Sequence, residues 1–359
     1  MSDQSDQAAQ AAARSWPELL SALLRGEHLS GADTAWAMHE IMTGEATPAQ
    51  LAGFAISLRA KGETAEEVNG LAATMVELAN PVPDVGDALD IVGSGGDRAH
   101  TVNVSTMAAI VAAAAGVPIA KHGNRAASSS CGAADLLEEL GVAIDLGGNG
   151  VAACVAQVGI GFCFAPVFHP AFRFTAAPRR ELGVPTIFNF LGPLTNPARP
   201  TSNAVGVADA RMAPVVAAAL AQRGNRALVF RGDDGLDELT TTTTSQAWVV
   251  RDGVVSTAVI DPVEVGISLT SPEELKGADA AYNAKVARAV FAGERGPVRD
   301  TVLLNAAAGV AAFEGPDADN LVEQLRAAIA RCAAAIDDGA AADKLDRWVD
   351  ASQLARPPV

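Results

Sequence analysis

The stretch between Ala88 and Ser130 constrains the fold of this chain more than any other. A short apolar run at 88–92 breaks into Gly-Ser-Gly-Gly-Asp at 93–97, and an alanine-rich helical pattern follows at 107–115. A second apolar run at 117–120 leads into Lys-His-Gly-Asn-Arg at 121–125. This order predicts a parallel βαβ unit whose two loops follow the carboxyl ends of its strands, where open α/β sheets bind ligands.

The charge pattern of the same stretch indicates an anion site. The chain carries 42 acidic residues and a net charge of −16, yet no Asp or Glu occurs between Arg98 and Ala134. Glycines let backbone N–H groups approach an anion closely, while Lys121 and Arg125 offer positive charge and Asn124 an amide. A buried, alanine-rich helix would also lack charge, but that explanation does not cover the polar residues at 121–130. We therefore predict a phosphate-binding site.

Charge and composition disfavour several other classes of protein. A strongly acidic chain is a poor partner for nucleic acid or anionic membranes. The longest apolar run, 107–120, is too short and too rich in alanine to span a bilayer, and the polar residues 1–13 contain no signal core. The four cysteines lack CxxC spacing, so zinc and disulfides are not expected. We predict a cytoplasmic protein without a Walker or dinucleotide-binding motif.

The order of helical and apolar patterns predicts an α/β fold with a mainly parallel central sheet flanked by helices, and a smaller all-helical domain. Four helices and no strand are predicted between Trp16 and Asn80, with capping boxes at 47–50 and 64–67. The predicted domains are 1–80, joined by a returning helical segment at about 170–200, and 88–350. Further predictions are a strand at 142–145, a helix at 151–158 capped by Asn149, and final helices at 278–291, 298–313 and 321–336.

Acidic residues follow the buried strand predicted at 227–230. Asp237 and Glu238 are adjacent carboxylates in a glycine-containing loop, which suits magnesium that keeps water and phosphate oxygens as its other ligands. A solvated acidic turn remains the alternative, and Asp233 and Asp234 have the weaker claim. No covalent nucleophile is predicted, because no triad-like set can be recognised.

Five stretches, at 93–97, 101–106, 121–126, 189–197 and 234–238, occur in this order in the chain. Together they resemble the anthranilate phosphoribosyltransferases, and the resemblance extends from about Trp16 to Trp348. It implies a homodimer formed through the helical domain, with an active site at the hinge between two domains. The implied reaction joins anthranilate to 5-phosphoribosyl 1-pyrophosphate in tryptophan biosynthesis and uses two magnesium ions per active site.

The resemblance also implies roles for particular residues. Those expected to bind phosphoribosyl pyrophosphate are Gly93, Gly95, Gly96, Asp97, Thr101, Asn103, Ser105, Thr106, Lys121, Asn124, Ala127, Ser128, Ser129 and Ser130. Those expected to bind anthranilate are Gly93, His122, Asn124, Pro166, His169, Arg179 and Gly192. The metal ligands would be Ser105, Asp237 and Glu238, and the catalytic groups Lys121, Asp237 and Glu238. No catalytic base is expected, because an aromatic amine is already neutral at pH 7.

Two positions depart from the family pattern. Ser94 stands where a threonine is usual, and we expect a minor effect because the loop acts through its backbone. Pro178 replaces a β-branched residue before Arg179 and is expected to disturb the helix there. Two alternatives remain open from the sequence: a pyrimidine nucleoside phosphorylase, and a relative without activity that binds nucleic acid.

Overall fold

The structure is a computed structural model that describes residues 14–126 and 130–356. The predictions made for Ala127, Ser128 and Ser129 fall outside these residues. Within the described part, no helix is long and apolar enough to cross a membrane. The chain divides into two compact units, of which the first contains the chain up to Leu78 together with Ala171–Leu191, and the second contains the rest.

The helices and strands follow one another in a simple order along the chain. They are α1 (Trp16–Leu24), α2 (Gly31–Thr43), α3 (Pro48–Lys61), α4 (Ala65–Glu77), β1 (Leu89–Gly93), α5 (Val104–Ala114), β2 (Ile119–Gly123), α6 (Ala133–Glu139), α7 (Gly148–Val158), β3 (Ile160–Phe164), α8 (Ala165–Phe168), α9 (Ala176–Leu182), β4 (Ser202–Gly206), α10 (Met212–Gln222), β5 (Arg226–Gly232), β6 (Ser245–Arg251), β7 (Val254–Ile260), α11 (Ala280–Phe291), α12 (Pro297–Glu314), α13 (Leu321–Asp337) and α14 (Ala340–Leu354). Short 3-10 helices lie at Pro170–Thr175, Ile187–Asn189, Gly192–Leu194, Pro272–Leu275 and Ala318–Asn320.

The first unit is helical, and its helices begin where the capping residues predict. The Thr47 hydroxyl accepts from the Gln50 N–H at 3.3 Å, and the Gln50 side chain accepts from the Thr47 N–H at 2.8 Å. Thr64 and Glu67 form the same reciprocal pair at the start of α4. Both predicted capping boxes are confirmed, because each satisfies N–H groups that a helix start leaves without partners.

The second unit contains a sheet whose described strands run in the order β3-β2-β1-β4-β5-β6-β7. The first five pair in parallel, and β6 and β7 add an antiparallel hairpin at one side. The predicted βαβ unit is confirmed, since β1 and β2 are parallel neighbours joined by α5. The chain adds β2 and β3 on one side of β1 and then β4 on the other. The carboxyl ends of β1 and β4 therefore form the switch point at which such sheets bind ligands.

Two predictions of local structure were wrong, and two elements were not predicted. The structure has a central strand, β4, just after the segment predicted to return to the helical domain, where no strand was predicted because the polar Ser202 and Asn203 are not typical of a fully buried strand. Residues 142–145 form no strand, although 142–144 are buried. Helix α7 begins at Gly148 rather than after Asn149. Helix α14 was missed entirely, because its mean hydropathy is low although one face buries Leu345 and Trp348.

Helix α12 lies at the centre of the second unit. It packs against α5, α13 and strands β1, β4 and β5, and most of its side chains are buried. At Gly309 a side-chain Cβ atom would come within 2.6 Å of Ile91 Cδ1 on β1. The missing side chain therefore lets α12 approach the strand that leads into the glycine loop.

Candidate active site

The loop that carries Asp237 lies directly on two glycines. A side chain at Gly206, the last residue of β4, would overlap the backbone oxygen of Asp237. A side chain at Gly93, the last residue of β1, would overlap the Asp237 carboxylate. Both strand ends therefore need glycine for the acidic loop to reach the switch point.

The glycine-rich loop after β1 is joined to the same carboxylate. The Gly95 N–H donates to Asp237 Oδ2 at 2.6 Å, and Gly95 and Gly96 have positive φ angles of 72° and 90°. Only glycine adopts such angles without strain. Ser94 does more than was expected of it, because its Oγ accepts from the Ala208 N–H at 3.1 Å and so ties this loop to the one after β4.

Asp237 is a buried carboxyl and Glu238 a half-buried one, and like charges surround both. Burial and the nearby Asp97 carboxylate raise the pKa of Asp237 to about 7. Burial and the charge of Asp237 raise the pKa of Glu238 well above its ordinary value, although a hydrogen bond from the Ser105 N–H opposes this shift. Ser105 lies in the first turn of α5, where free N–H groups favour an anion. The charge of Lys121 lowers the pKa of Glu238 but does not cancel the repulsion within the cluster, so a bound cation would relieve it.

The oxygen donors at this cluster fit magnesium better than a softer metal. They are carboxylates and a hydroxyl, without histidine or cysteine. Among residues 14–126 and 130–356, no three His, Cys, Asp or Glu side chains form a complete metal cage. An incomplete set suits magnesium, which commonly retains waters and substrate phosphate oxygens. Residues Ser105, Asp237 and Glu238 would hold it here.

Lys121 is a buried cation beside these acids. Its side chain is 1 % exposed, and its Nζ donates to the Ile91 carbonyl at 2.5 Å. Burial lowers the pKa of Lys121, whereas Asp90 and Glu238 raise it. The ammonium therefore lies in the field of two carboxylates, and one of them belongs to the pair expected to hold magnesium.

Asp90 and Asn196 were missed by the sequence analysis. Asp90 Oδ1 accepts from the His122 N–H at 3.1 Å, and Asp90 Oδ2 accepts from Asn196 Nδ2 at 2.9 Å. Burial raises the pKa of Asp90 to about 6, against the opposing charge of Lys121. The sequence did contain a sign of this role, because Asp90 is an acid inside the apolar run at 88–92. An acidic side chain is rarely buried unless it has partners.

His122 and His169 form a second group. Their ring centroids are 5.5 Å apart. His122 Nδ1 donates to the Gly192 carbonyl at 3.0 Å, and His169 Nε2 donates to the Thr195 carbonyl at 2.8 Å. Because Nδ1 of His122 carries the hydrogen, its buried Nε2 presents a lone pair, and this atom has no hydrogen-bond partner in the described part of the chain. The structure therefore brings His122, His169 and Gly192 together.

The residues at 101–106 are held by their own contacts. Thr101 bridges to Lys276, while Asn103 receives a hydrogen bond from Asn283 at 2.9 Å and donates to the Cys131 carbonyl at 3.0 Å. Thr106 Oγ1 is buried and lacks a partner within the described residues. A buried hydroxyl of this kind at a helix start suits a phosphate oxygen.

Within the described part of the chain, the structure shows no contact between the remaining predicted residues and the carboxylate, lysine and histidine groups above. Asn124 and Ser130 are exposed, and so is Pro166 at the start of α8. Arg125 was expected to offer positive charge to an anion, but its guanidinium already pairs with Asp135 at 2.8 Å and Glu138 at 2.9 Å. That interpretation was wrong for Arg125.

Arg179 belongs to the first unit. Its guanidinium lies 5.2 Å from the centroid of the Phe172 ring, and burial lowers its pKa. Pro178 is the third residue of α9. The first turn of a helix leaves its N–H groups without intrahelical partners, so a proline there sacrifices no helical hydrogen bond. The expected disturbance before Arg179 is not found.

The fold and the site together have the features of a glycosyl transferase. The glycosyl transferase family α/β domain matches residues 85–342, and the helical bundle domain of the same family matches residues 17–79. These two matches cover the acidic loop, the glycine loop and the capped helices.

Individual relatives narrow the class further. The chain is 70 % identical over 342 residues to the anthranilate phosphoribosyltransferase of Acidothermus cellulolyticus, covering 95 % of this chain and 96 % of that protein. The crystal structure of the enzyme from Thermus thermophilus superimposes with a TM-score of 0.86 at 40 % identity, covering 93 % and 99 % of the two chains. The Saccharomyces cerevisiae enzyme, solved with phosphoribosyl pyrophosphate and magnesium, gives 0.84 at 27 % identity, covering 94 % and 98 %. The chain belongs to the anthranilate phosphoribosyltransferase family.

Proposed function

We propose that this enzyme transfers the 5-phosphoribosyl group from phosphoribosyl pyrophosphate to the amine of anthranilate, as a step of tryptophan biosynthesis. The main observation in support of this function is that four residues come together at the carboxyl ends of β1 and its neighbours, namely Gly95, Lys121, Asp237 and Glu238. Departure of pyrophosphate from a sugar leaves a cation-like ribosyl group and a strongly negative leaving group. The arrangement supplies what that leaving group needs.

The donor would be held by the loops after β1 and β2 and by the start of α5. Loop N–H groups at 93–97, the Thr106 hydroxyl and the Lys121 ammonium are suited to phosphate oxygens. Asp97, Thr101, Asn103, Asn124 and Ala127–Ser130 remain proposed donor contacts. When bound, magnesium would neutralise charge on the departing pyrophosphate. We propose two ions per active site, held by Ser105, Asp237 and Glu238.

The acceptor would be held by groups that do not need to remove a proton before attack. The neutral Nε2 of His122 can accept a hydrogen bond from an amine or water. Gly93, Asn124, Pro166, His169 and Gly192 are the further proposed anthranilate contacts. Arg179 is proposed to recognise the anthranilate carboxylate by a charge-assisted hydrogen bond.

The reaction is tested by mixing the protein with anthranilate, phosphoribosyl pyrophosphate and magnesium, and following the loss of anthranilate fluorescence. Asp237→Asn combined with Glu238→Gln should abolish turnover while the circular dichroism spectrum stays unchanged, because the carboxylates that attract the cation are gone. Removal of magnesium with a chelator should do the same to the wild-type enzyme. Turnover that survives in the double variant at saturating magnesium would contradict the metal assignment.

The carboxylate contact is tested separately. Arg179→Ala should raise the KM for anthranilate by at least about tenfold, since a charge-assisted hydrogen bond contributes roughly 1.5–3 kcal/mol. The KM for phosphoribosyl pyrophosphate should change little. Arg180→Ala, on the neighbouring residue of α9, is the matched control. An unchanged anthranilate KM in the Arg179 variant would remove this residue from the acceptor site.

We also propose that the enzyme is a homodimer formed through the helical unit. Leu24 on α1 is 79 % exposed, and Ile56 on α3, Phe174 and Val184 are also partly or largely exposed. A contiguous patch of exposed apolar side chains is typical of an interface, and we propose that these four contribute to one. Analytical ultracentrifugation measures the state, and a monomer at micromolar concentration would contradict it. The cytoplasmic location stays a prediction.

A further inference from the structure

Asn305 is a polar residue in the middle of a buried helix. Its neighbours on α12, Leu303, Leu304, Ala306 and Ala307, are all buried and apolar, and Asn305 itself is 0 % exposed. An amide costs free energy to bury unless its hydrogen bonds are replaced, and asparagine is a poorer helix former than alanine or leucine. Its presence therefore calls for specific partners.

Those partners lie on the acidic loop. Asn305 Oδ1 accepts from the Leu239 N–H at 2.9 Å, and Asn305 Nδ2 donates to the Leu239 carbonyl at 2.8 Å. Nδ2 also donates to the Thr301 carbonyl, one helical turn earlier, at 2.9 Å. One side chain thus satisfies both backbone groups of a residue that lies 66 positions earlier in the chain.

The hydrogen bond to Leu239 acts on Glu238. The Leu239 N–H is part of the peptide bond between Glu238 and Leu239, and peptide bonds are planar. Holding that plane restricts the backbone of Glu238, whose carboxylate lies near Lys121 and the Ser105 N–H. Asp237, the first residue of the acidic pair, lies on Gly93 and Gly206. Asn305 holds the loop at Leu239, immediately after the second residue of the pair.

The threonines that follow Glu238 support the same loop. The Asp234 carboxylate accepts hydrogen bonds from the hydroxyls of Thr240 and Thr242, and the Thr241 hydroxyl bonds with that of Thr301 on α12 at 2.8 Å. Thr301, Asn305 and Gly309 recur at intervals of four and so share one face of α12. That face contacts the loop through the first two residues and approaches β1 at Gly309.

We propose that Asn305 is a positioning residue for the divalent cation, acting through the Glu238–Leu239 peptide. This inference rests on the proposed function, because it assumes that Asp237 and Glu238 hold magnesium. Asn305 itself contacts neither substrate nor metal. Outer residues of this kind orient the ligands of a metal, and their loss typically weakens affinity or activity about 10- to 100-fold.

The test compares Asn305→Leu, which keeps the size of the side chain and removes its hydrogen bonds, with Asn305→Asp, which keeps only the acceptor. Ser352→Ala is the matched control, because Ser352 is a buried helix residue on α14 that accepts from the Ala143 N–H at 2.9 Å. Magnesium binding is measured by calorimetry with phosphoribosyl pyrophosphate present, alongside kcat and both substrate KM values. Hydrogen exchange of the Leu239 amide is measured in the wild-type enzyme.

Asn305→Leu should weaken magnesium binding roughly 10- to 100-fold. Asn305→Asp should weaken it less, and Ser352→Ala should lower the melting temperature without changing magnesium affinity. The Leu239 amide should exchange slowly in the wild-type enzyme, even without magnesium. Wild-type magnesium affinity in folded Asn305→Leu, or in Asn305→Asp if the first variant does not fold, overturns the inference, as does a rapidly exchanging Leu239 amide. If wild-type turnover needs no magnesium, the proposed function fails instead.

Discussion

At the scale of single residues, burial decides the protonation states that the site can use. His122 is surrounded by Lys121, His169 and backbone, and its burial lowers its pKa to about 3. The ring is therefore neutral at physiological pH, with the hydrogen on Nδ1 directed at the Gly192 carbonyl. A neutral acceptor can orient a donor group, whereas a protonated histidine could not accept its hydrogen bond.

The same shift makes His122 a source of acid sensitivity. Its ordinary pKa is 6.5, so between that value and about 3 the unfolded chain binds a proton that the folded chain does not. Stability should fall as the pH drops below 6.5, by about 2 kcal/mol between pH 7.5 and 5. Urea unfolding of the wild type and of His122→Asn at both pH values measures the difference. Equal pH slopes in the two proteins would contradict the assignment.

At the scale of elements, a buried ion pair holds the first unit together. Glu67 on α4 accepts from the Leu29 N–H and from Lys61 Nζ at the end of α3, both at 2.8 Å. Both side chains are almost fully buried. The pair thus joins the start of α4 to the end of α3 and to the turn that precedes α2. Its carboxylate also completes the capping box with Thr64.

Removing one partner of this pair should be costly. Glu67→Ala leaves the Lys61 ammonium buried without its carboxylate, which should lower the free energy of unfolding by about 3–5 kcal/mol. Glu27→Ala, in the exposed pair with Arg25, is the control and should change stability by less than about 1 kcal/mol. Thermal or urea unfolding of both variants measures the difference. A loss in Glu67→Ala as small as that in the control would show that the buried pair contributes little.

At the scale of the whole molecule, ligand binding and stability are linked. A ligand that binds only the folded state at one hundred times its Kd stabilises that state by about 2.7 kcal/mol. Phosphoribosyl pyrophosphate should therefore raise the melting temperature of the wild-type protein when magnesium is present. The rise should be much smaller with a chelator, or in the Asp237→Asn, Glu238→Gln double variant. A rise that is the same with and without magnesium would argue against a metal-assisted donor site.

The amino-acid sequence by itself determined the features that depend on neighbouring residues. Capping residues at Thr47 and Thr64 define helix starts, and the stretch from Ala88 defines a βαβ unit. Glycines with positive φ angles define the loop after β1. Each of these follows from the conformational preferences and hydrogen bonds of a few consecutive residues, so it could be predicted before the structure.

Only the tertiary structure decided which distant residues meet. Strand β4 lies between β1 and β5 and is buried along its whole length. Its short sequence, Ser-Asn-Ala-Val-Gly, only weakly indicates a strand. Gly206 matters because Asp237 lies on it, and Asn305 matters because Leu239 needs a partner for its backbone. Such pairings depend on how elements pack across many intervening residues. Local sequence patterns carry no information about the partner on the other side of the contact.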